Sequence, residues 1–227
     1  MDNALPIILA LESSAGRASV ALARGDEILA EEAVEAAHGH AAWIIPLAQR
    51  ALATADFSFA DIGAIVAGRG PGSFTGIRVA LAAAKGLGLS LGRTAVGRSS
   101  LAAMAHHDSN GDGPIISMID SRRKSIYFQI FNHDNSALCP ATDGQIDDIM
   151  AVVSHIGIAG TPITINGHHA ADIAERLHQD GIGAEVGKAL FPSAADLCRL
   201  YAANPTINEG LEPLYLAPPL ISKAASR

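Results

Sequence analysis

The sequence predicts an α/β fold of two lobes with mixed sheets, each lobe built from three strands, a helix, a strand and a helix. Strand-like and helix-like patterns follow one another in a certain order over residues 7–91, and the same order is repeated over residues 114–179. The 227 residues are 49% hydrophobic and 17% charged, which provides enough apolar material for two cores and argues against disorder. We therefore expect a first lobe over residues 1–108 and a second over residues 109–227.

The first lobe opens with three predicted strands and a helix. Residues 7–11 are a continuous apolar run, Ala18, Val20 and Leu22 recur at the two-residue period of a second strand, and a third strand starts at residue 28 after an Arg-Gly-Asp hairpin turn. A helix follows over residues 41–55, with Pro46 in its first turn or at a kink.

A glycine-rich block, GRGPGSFTG, follows a short apolar strand at residues 62–67. Glycine permits positive φ and close backbone approach, and proline restricts the residue before it, so the block predicts a tight loop. Ser73 or Thr75 is the expected N-cap of the next helix. We assign the motif loop to Gly70, Pro71, Gly72, Ser73, Thr75 and Gly76.

Common phosphate and nucleophile motifs do not match this block. A Walker A loop needs Lys-Ser/Thr after its last glycine, where this chain has Ile77 and Arg78. The dinucleotide pattern G-x-G-x-x-G fails at Thr75, and the nucleophile pattern G-x-S-x-G fails at Pro71. The block therefore favours a tight strand-to-helix turn over a phosphate cradle.

The helix after the block, residues 77–91, is apolar nearly all round and is expected to be buried nearly all round. It carries one row of small residues through Ala84 and Gly88 and another through Ala82 and Gly86. Each helical glycine costs about 1 kcal/mol relative to alanine, which favours a role in close contact. The sequence leaves two alternatives for what covers this helix: the core of the lobe itself, or a partner protein.

The second lobe repeats the element order of the first. The predicted elements are strands at 114–119 and 125–131, a third strand ending near Cys139, a helix at 145–155, a strand at 163–166 and a helix at 170–179. A helix at 99–106 joins the lobes, and residues 109–113 are the expected linker. A last helix at 193–203 is expected to pack back on the first lobe.

Composition limits the partners and the compartment. The net charge is −7, from 16 Lys and Arg against 23 Asp and Glu, so the surface will not attract nucleic acid by itself. Cys139 and Cys198 are far apart and form no C-x-x-C, which is typical of a reduced, intracellular protein. The sequence shows no signal peptide or membrane span, so we expect a cytoplasmic location.

We expect no metal site and no catalytic residues. None of the nine histidines, which include His38 and His40, has a second histidine four residues away, the spacing of a helical metal pair. No Ser/His/Asp or Cys/His arrangement can be argued. Asp120 with Arg122 and Arg123 is interpreted as a surface ion pair, and contact with a partner or tRNA is the less favoured alternative.

The glycine block with Arg78 and Lys85 resembles that of the bacterial TsaB (YeaZ) proteins of the actin/Hsp70/sugar-kinase superfamily. The likeness spans almost the whole chain, including ILALESS at residues 8–14 and EPLYL at residues 212–216. The resemblance implies an actin-like (ribonuclease H-like) fold of duplicated βββαβα units. This chain departs from it at Glu12, where the family usually has Asp, and at Lys124 and Ser125, where Gly and Glu are usual.

The resemblance also implies a function. TsaB proteins are non-catalytic scaffold subunits of the complex that places threonylcarbamoyl on N6 of the adenosine beside the anticodon of ANN-reading tRNAs. The implied partners are a TsaD-like transferase in a heterodimer, a TsaE-like ATPase, and tRNA only through the complex, with a homodimer left open and no membrane. The alternative from another class is a stand-alone ATP-binding phosphotransferase or hydrolase with the actin-like fold.

The family pairs with TsaD through its first two long helices, which implies an interface here. The resemblance implies no cofactor of the chain's own and leaves open weak ATP or ADP binding at a lobe or subunit interface. Glu12, Ser13 and Ser14 would be a vestigial nucleotide loop, against which an ordinary strand-end turn is favoured. The implied interface residues are Trp43, Leu47, Arg50, Ile77, Arg78, Leu81, Ala84, Lys85 and Gly88.

Overall fold

The computed structural model describes residues 5–35, 42–109, 111–157, 160–207 and 209–218. The first half contains β1 (Ile7–Glu12), β2 (Arg17–Arg24), β3 (Glu27–Glu35), α1 (Ile44–Thr54), β4 (Ile62–Gly68), α2 (Phe74–Leu91), β5 (Thr94–Arg98) and α3 (Ser100–His107). The second half contains β6 (Ile115–Asp120), β7 (Ile126–Phe131), β8 (Thr142–Gly144), α4 (Ile146–Ile156), β9 (Ile163–Asn166), α5 (Ala170–Gln179), β10 (Ala184–Val186) and α6 (Ala194–Ala203).

The two halves form sheets with the same topology. The strand orders are β3-β2-β1-β4-β5 and β8-β7-β6-β9-β10, with β1 and β6 at the centres. In both sheets the first three strands are antiparallel and the last two run parallel to the central strand. The predicted duplication of βββαβα units is therefore confirmed. Each unit also gains a fifth, edge strand, β5 or β10, that the sequence pattern did not predict.

The first sheet is covered by helices on both faces. Leu9 and Leu11 of β1 point to α1 and α2, whereas Ile8 and Ala10 point to α6. Burial on both faces explains why β1 is a continuous apolar run rather than an alternating one. The last helix, α6, thus leaves the second half of the chain and packs on the first sheet.

Helix α3 lies between the two sheets. Ala103 faces the cluster that includes α6 and the first sheet, whereas Leu101 and Met104 pack with Ile115 and Tyr127 of the second sheet. The opposite face of the second sheet is covered by α4 and α5. The connecting helix is therefore part of both cores, and the relative position of the two sheets depends on it.

One predicted strand differs from the structure, and one predicted helix cap is confirmed. The predicted strand near Cys139 is wrong: only a single bridge joins Phe131 to Ala137, and the third strand, β8, comes later. A turn that starts at Asn132 forms part of this segment, with Asn135 at a φ of 66°. Helix α2 starts at Phe74, and the Ser73 hydroxyl accepts from the Gly76 N–H, so the predicted N-cap at Ser73 is confirmed.

A charged cluster links α3 to α6. Asp196, which is almost fully buried, lies 2.9 Å from His107 Nδ1 and accepts from Arg199 and from the Ser193 hydroxyl. Burial favours a raised pKa for Asp196, but the hydrogen bonds with His107 and Ser193 hold this pKa below its usual value. The hydrogen bond to Asp196 raises the pKa of His107, although partial burial opposes it.

The stabilising effect of His107 should depend on pH. Because the folded-state pKa is raised, the stabilisation is complete below the unfolded-state pKa and is lost as pH rises through the folded-state value. We expect His107→Ala to lower the free energy of unfolding by about 1 kcal/mol at pH 5.5 and by clearly less at pH 9, measured by urea denaturation. The exposed His155→Ala is the control, and an equal loss at both pH values would contradict the prediction.

Candidate functional site

The glycine block lies directly against the turn that follows β1. The Ser73 N–H donates to the Ser14 carbonyl at 2.6 Å, and the Ser13 hydroxyl donates to the Gly76 carbonyl at 2.8 Å. A Cβ built on Gly72 would lie 2.1 Å from the Ser14 carbonyl oxygen, and one on Gly76 would lie 1.9 Å from that of Ser13. The two glycines are therefore needed because the two backbones touch.

Glu12 is buried beneath this contact. Its carboxylate accepts from the Ser14 N–H at 2.6 Å and from the Ser100 hydroxyl at 2.7 Å. A Cβ on Gly68 would lie 2.0 Å from the same carboxylate. Burial raises the pKa of Glu12, and the hydrogen bonds from Ser14 and Ser100 offset part of this rise. Glu12 thus connects β1, β4 and the start of α3 from within the core.

This arrangement does not fit the nucleotide site of the actin-like fold. The oxygens of Glu12 are fully buried and hydrogen-bonded inside the protein, so they are not placed to hold a metal. The carbonyl oxygens of Ser14 and Ser13 occupy the space that a side chain at position 72 or 76 would need. Among the residues with described positions, no cluster of three or more His, Cys, Asp or Glu could hold a metal ion.

The C-terminal segment, residues 209–218, crosses the outside of the glycine block. The Leu214 N–H donates to the Arg69 carbonyl at 2.8 Å, and the Arg69 guanidinium donates to the carbonyls of Glu209 and Glu212. Arg69 also forms an ion pair with the Glu209 carboxylate at 3.7 Å. The segment is thereby fixed to the loop that precedes α2.

The same segment holds the first turn of α2. Tyr215 stacks on Phe74 with ring centroids 4.8 Å apart, and the Arg78 guanidinium donates to the Tyr215 hydroxyl at 2.8 Å. Arg78 also lies over the Phe74 ring, 3.8 Å from its centroid. Further along, the Arg123 guanidinium donates to the Pro218 carbonyl, so the segment reaches the turn between β6 and β7.

A cleft of about 620 Å³ opens between these features. One wall comes from the first half of the chain, the other from the β6–β7 turn, and the C-terminal segment forms an edge. The polar side chains on its walls come from Ser14, Glu35, Ser73, Thr75, Asp120, Ser121, Arg122, Arg123, Tyr127, His168 and Tyr215. Asp120, Arg122 and Arg123, predicted as a surface ion pair, are thus wall residues of a cleft.

The histidines are dispersed. His107 binds Asp196, and His168 packs edge-on against Phe191 with ring centroids 4.6 Å apart. His38 and His40, considered above as ligands, lie outside the described residues.

Comparison with known proteins defines the family. The family model described as "TsaD: tRNA N6-adenosine threonylcarbamoyltransferase" matches residues 27–214. The chain belongs to the TsaD family. It is similar to the tRNA threonylcarbamoyladenosine biosynthesis protein TsaB of Escherichia coli, with 29% identity over 92% of this chain and 94% of the relative. It is also similar to TsaB of Bacillus subtilis, with 27% identity over 78% of this chain and 77% of the relative.

Solved structures give the same answer for the fold. YeaZ from Pseudomonas aeruginosa superposes with a TM-score of 0.74 at 25% identity, covering 93% of this chain and all of that one. A putative N-acetylglucosamine kinase from Porphyromonas gingivalis superposes with a TM-score of 0.52 at 10% identity, over 88% of this chain and 100% of that one, and shares the fold alone. The predicted resemblance to TsaB (YeaZ) and the predicted actin-like fold are confirmed.

The implied docking residues divide into two sets in this TsaD-family chain. Trp43, Arg50, Arg78 and Lys85 are exposed. The other set is buried within the chain, and its assignment to a partner interface stays a prediction. That set comprises Leu47, Ile77, Leu81, Ala84 and Gly88. At Gly88, a Cβ would lie 3.2 Å from Ala95 on β5, so this glycine serves packing within the chain.

The exposed apolar side chains of α1 and α2 include Ile45 and Leu89, which were not expected, beside the expected Trp43. Leu89 is 85% exposed, Ile45 is 38% exposed and Trp43 is 40% exposed. Ala82 and Gly86 on α2 are also exposed, and a Cβ on Gly86 would have no neighbour within 4 Å among the described residues. The helical period could have predicted which row is exposed. If Ile77, Ala84 and Gly88 face the core, the row through Ala82 and Gly86 lies on the opposite side of the helix and faces outward.

The roles of the two kinds of glycine can be separated by stability. Gly76→Ala should lower the free energy of unfolding by more than about 3 kcal/mol or prevent folding, because its Cβ overlaps the Ser13 carbonyl. Gly86→Ala should raise it by about 0.5–1 kcal/mol, because alanine suits an exposed helix better than glycine. Urea denaturation of both variants is the measurement. Equal stability of Gly76→Ala and the natural chain would disprove the close-contact role.

Proposed function

We propose that this chain is a non-catalytic subunit of the complex that forms N6-threonylcarbamoyladenosine in tRNA, and that it pairs there with a TsaD-type transferase subunit. The names of its curated relatives support the pathway. The Glu12 carboxylate is hydrogen-bonded within the protein, and backbone carbonyls of the chain fill the space beside the glycines of the loop. Both features support a scaffold rather than a nucleotide-dependent enzyme. The proposal implies a cytoplasmic location, where tRNA is modified, and no bound cofactor of the chain's own.

The observation that carries the pairing is the outward face of α1 and α2, defined by Trp43, Ile45, Ala82, Gly86 and Leu89. Helix α2 has a mean hydropathy of 1.3 over 18 residues, and 33% of that stretch is buried in the chain. Its exposed positions include the polar Arg78 and Lys85, but the stripe through Ala82, Gly86 and Leu89 is apolar and calls for a cover.

The chemistry of this face fits helices better than an irregular surface. Ala82 and Gly86 lie one helical turn apart and leave a shallow groove in which another helix can approach closely. Trp43 and Leu89 are large apolar side chains of the kind that anchor interfaces when they are buried by a partner. Lys85 and Arg50 lie on exposed positions of the same helices and can form the polar rim. We therefore propose a helix pair of the transferase as the occupant.

The remaining partners follow from the same proposal. A TsaE-like ATPase and a second copy of this chain stay predicted partners, and tRNA is expected to bind only through the complex. The lobe boundary near residue 108 also stays a prediction. Weak ATP or ADP binding at a lobe or subunit interface also stays a prediction.

Gly86→Trp tests the pairing directly. The new side chain has space in the isolated chain, so the variant should fold, but it fills the groove between Ala82 and Leu89. We expect the affinity for the TsaD-type subunit to fall by about 100-fold, measured by calorimetry with the purified partner. Ala171→Trp is the matched control, because Ala171 is an exposed alanine on α5, outside the proposed face.

Two outcomes are decisive for the docking proposal. Unchanged affinity of Gly86→Trp, with its melting temperature preserved, would refute the assignment of the outward face. Loss of affinity in the Ala171→Trp control would show that bulk anywhere on the surface interferes. Substitution of Ala84 or Gly88 is unsuitable for this test, because both are buried in the chain's own core.

A further inference from the structure

The turn between β6 and β7 presents three consecutive cations, Arg122, Arg123 and Lys124, in a chain whose net charge is −7. Arg122 and Lys124 are exposed, and Arg123 is half-buried where it donates to the Pro218 carbonyl. The one acidic side chain within the turn region, Asp120, accepts from the Arg122 N–H at 2.7 Å and thereby shapes the turn. The turn is a local cationic site on an acidic protein.

The backbone of this turn is held in an unusual conformation. Arg122 has a φ of 59° and Lys124 a φ of 71°, whereas the other described non-glycine residues with positive φ are Asp56 and Asn135, whose residue types tolerate it. Strained backbone persists only where its surroundings enforce it, and such positions cluster at functional sites.

A pair of serines enforces the conformation. The Ser121 hydroxyl donates to the Ser125 carbonyl at 2.6 Å and lies 2.8 Å from the Ser125 hydroxyl. The Arg123 N–H donates to the Ser121 hydroxyl at 3.1 Å, which closes the turn from the other side. Fixing the turn in this way lowers the entropic cost of using its cations in binding.

The turn lies on the same cleft as the first turn of α2. Arg122 and Arg123 line the cleft of about 620 Å³ together with Phe74 and Thr75, the first residues of α2. Glu35 is the acidic residue described on the wall outside the turn. The cations of the turn therefore border a cleft that is large enough to admit part of a ligand.

We propose that the turn, residues 120–125, contacts the phosphate backbone of tRNA within the assembled complex. The inference rests on the proposed function, because that function brings tRNA to a complex that contains this acidic subunit. Guanidinium and ammonium groups bind phosphate oxygens strongly, and each neutralised phosphate releases counterions. The contact positions the RNA and carries no base specificity.

The experiment is tRNA binding by the complex of this chain with its TsaD-type partner, at several salt concentrations. The double variant Arg122→Gln with Lys124→Gln should weaken binding by about tenfold or more near 0.1 M salt, and should reduce the slope of log K against log salt by about 1–2. Arg122→Lys with Lys124→Arg keeps both charges and should restore most of the affinity. Arg176→Gln with Lys188→Gln is the control, because it removes the same charge elsewhere on the surface.

Each outcome is informative. Unchanged affinity and salt slope in the first variant would overturn the inference, as would an equal loss in the control, which would indicate a net-charge effect. If the first variant no longer pairs with the transferase subunit, the turn is a protein contact and the RNA assignment is wrong. If the complex of the natural chain pairs but does not bind tRNA, the proposed function itself fails, and this result is distinct from the others.

Discussion

The contact between the turn after β1 and the glycine block is the interaction on which the rest of the structure depends. It brings two backbones to hydrogen-bonding distance at Ser13 and Ser14, and only glycine at 72 and 76 allows that approach. The Glu12 carboxylate accepts a hydrogen bond from the Ser100 hydroxyl and so joins the end of β1 to the start of α3 next to this contact. The direction in which α2 leaves the first sheet is therefore set by packed backbone rather than by a bound ligand.

Helix α2 has two faces with different uses. The row through Ile77, Ala84 and Gly88 is buried on the first sheet, where small residues let β5 approach. The row through Ala82 and Gly86 is small as well but is exposed, and a Cβ on Gly86 would meet no atom of the described residues within 4 Å. The small size of the side chains therefore does not show whether a row packs in the core or is exposed. The phase of the helix relative to the sheet decides which row serves the core and which is open to another protein.

Most of the fold could be predicted from the sequence, because apolar runs and helical periodicity report directly on burial. The fifth strand β10 could not, since its three residues are largely exposed and carry no pattern. The contacts of Arg69 with Glu209 and Glu212 also left no signal, because they join positions more than a hundred residues apart. For the candidate site, the sequence pattern predicted the tight loop and the Ser73 cap that the structure shows before α2. It could not say that Glu12 is sealed, since that depends on the missing side chain of Gly68.

The C-terminal segment explains how such a fold can present a firm docking surface. Through Tyr215 it holds Phe74 and Arg78 at the start of α2, through Leu214 it holds the loop before it, and near its end it meets Arg123 of the β6–β7 turn. One segment therefore fixes the helix that we propose for partner binding and the turn that we propose for RNA. Because both are ordered before any partner arrives, little conformational entropy remains to be lost on binding.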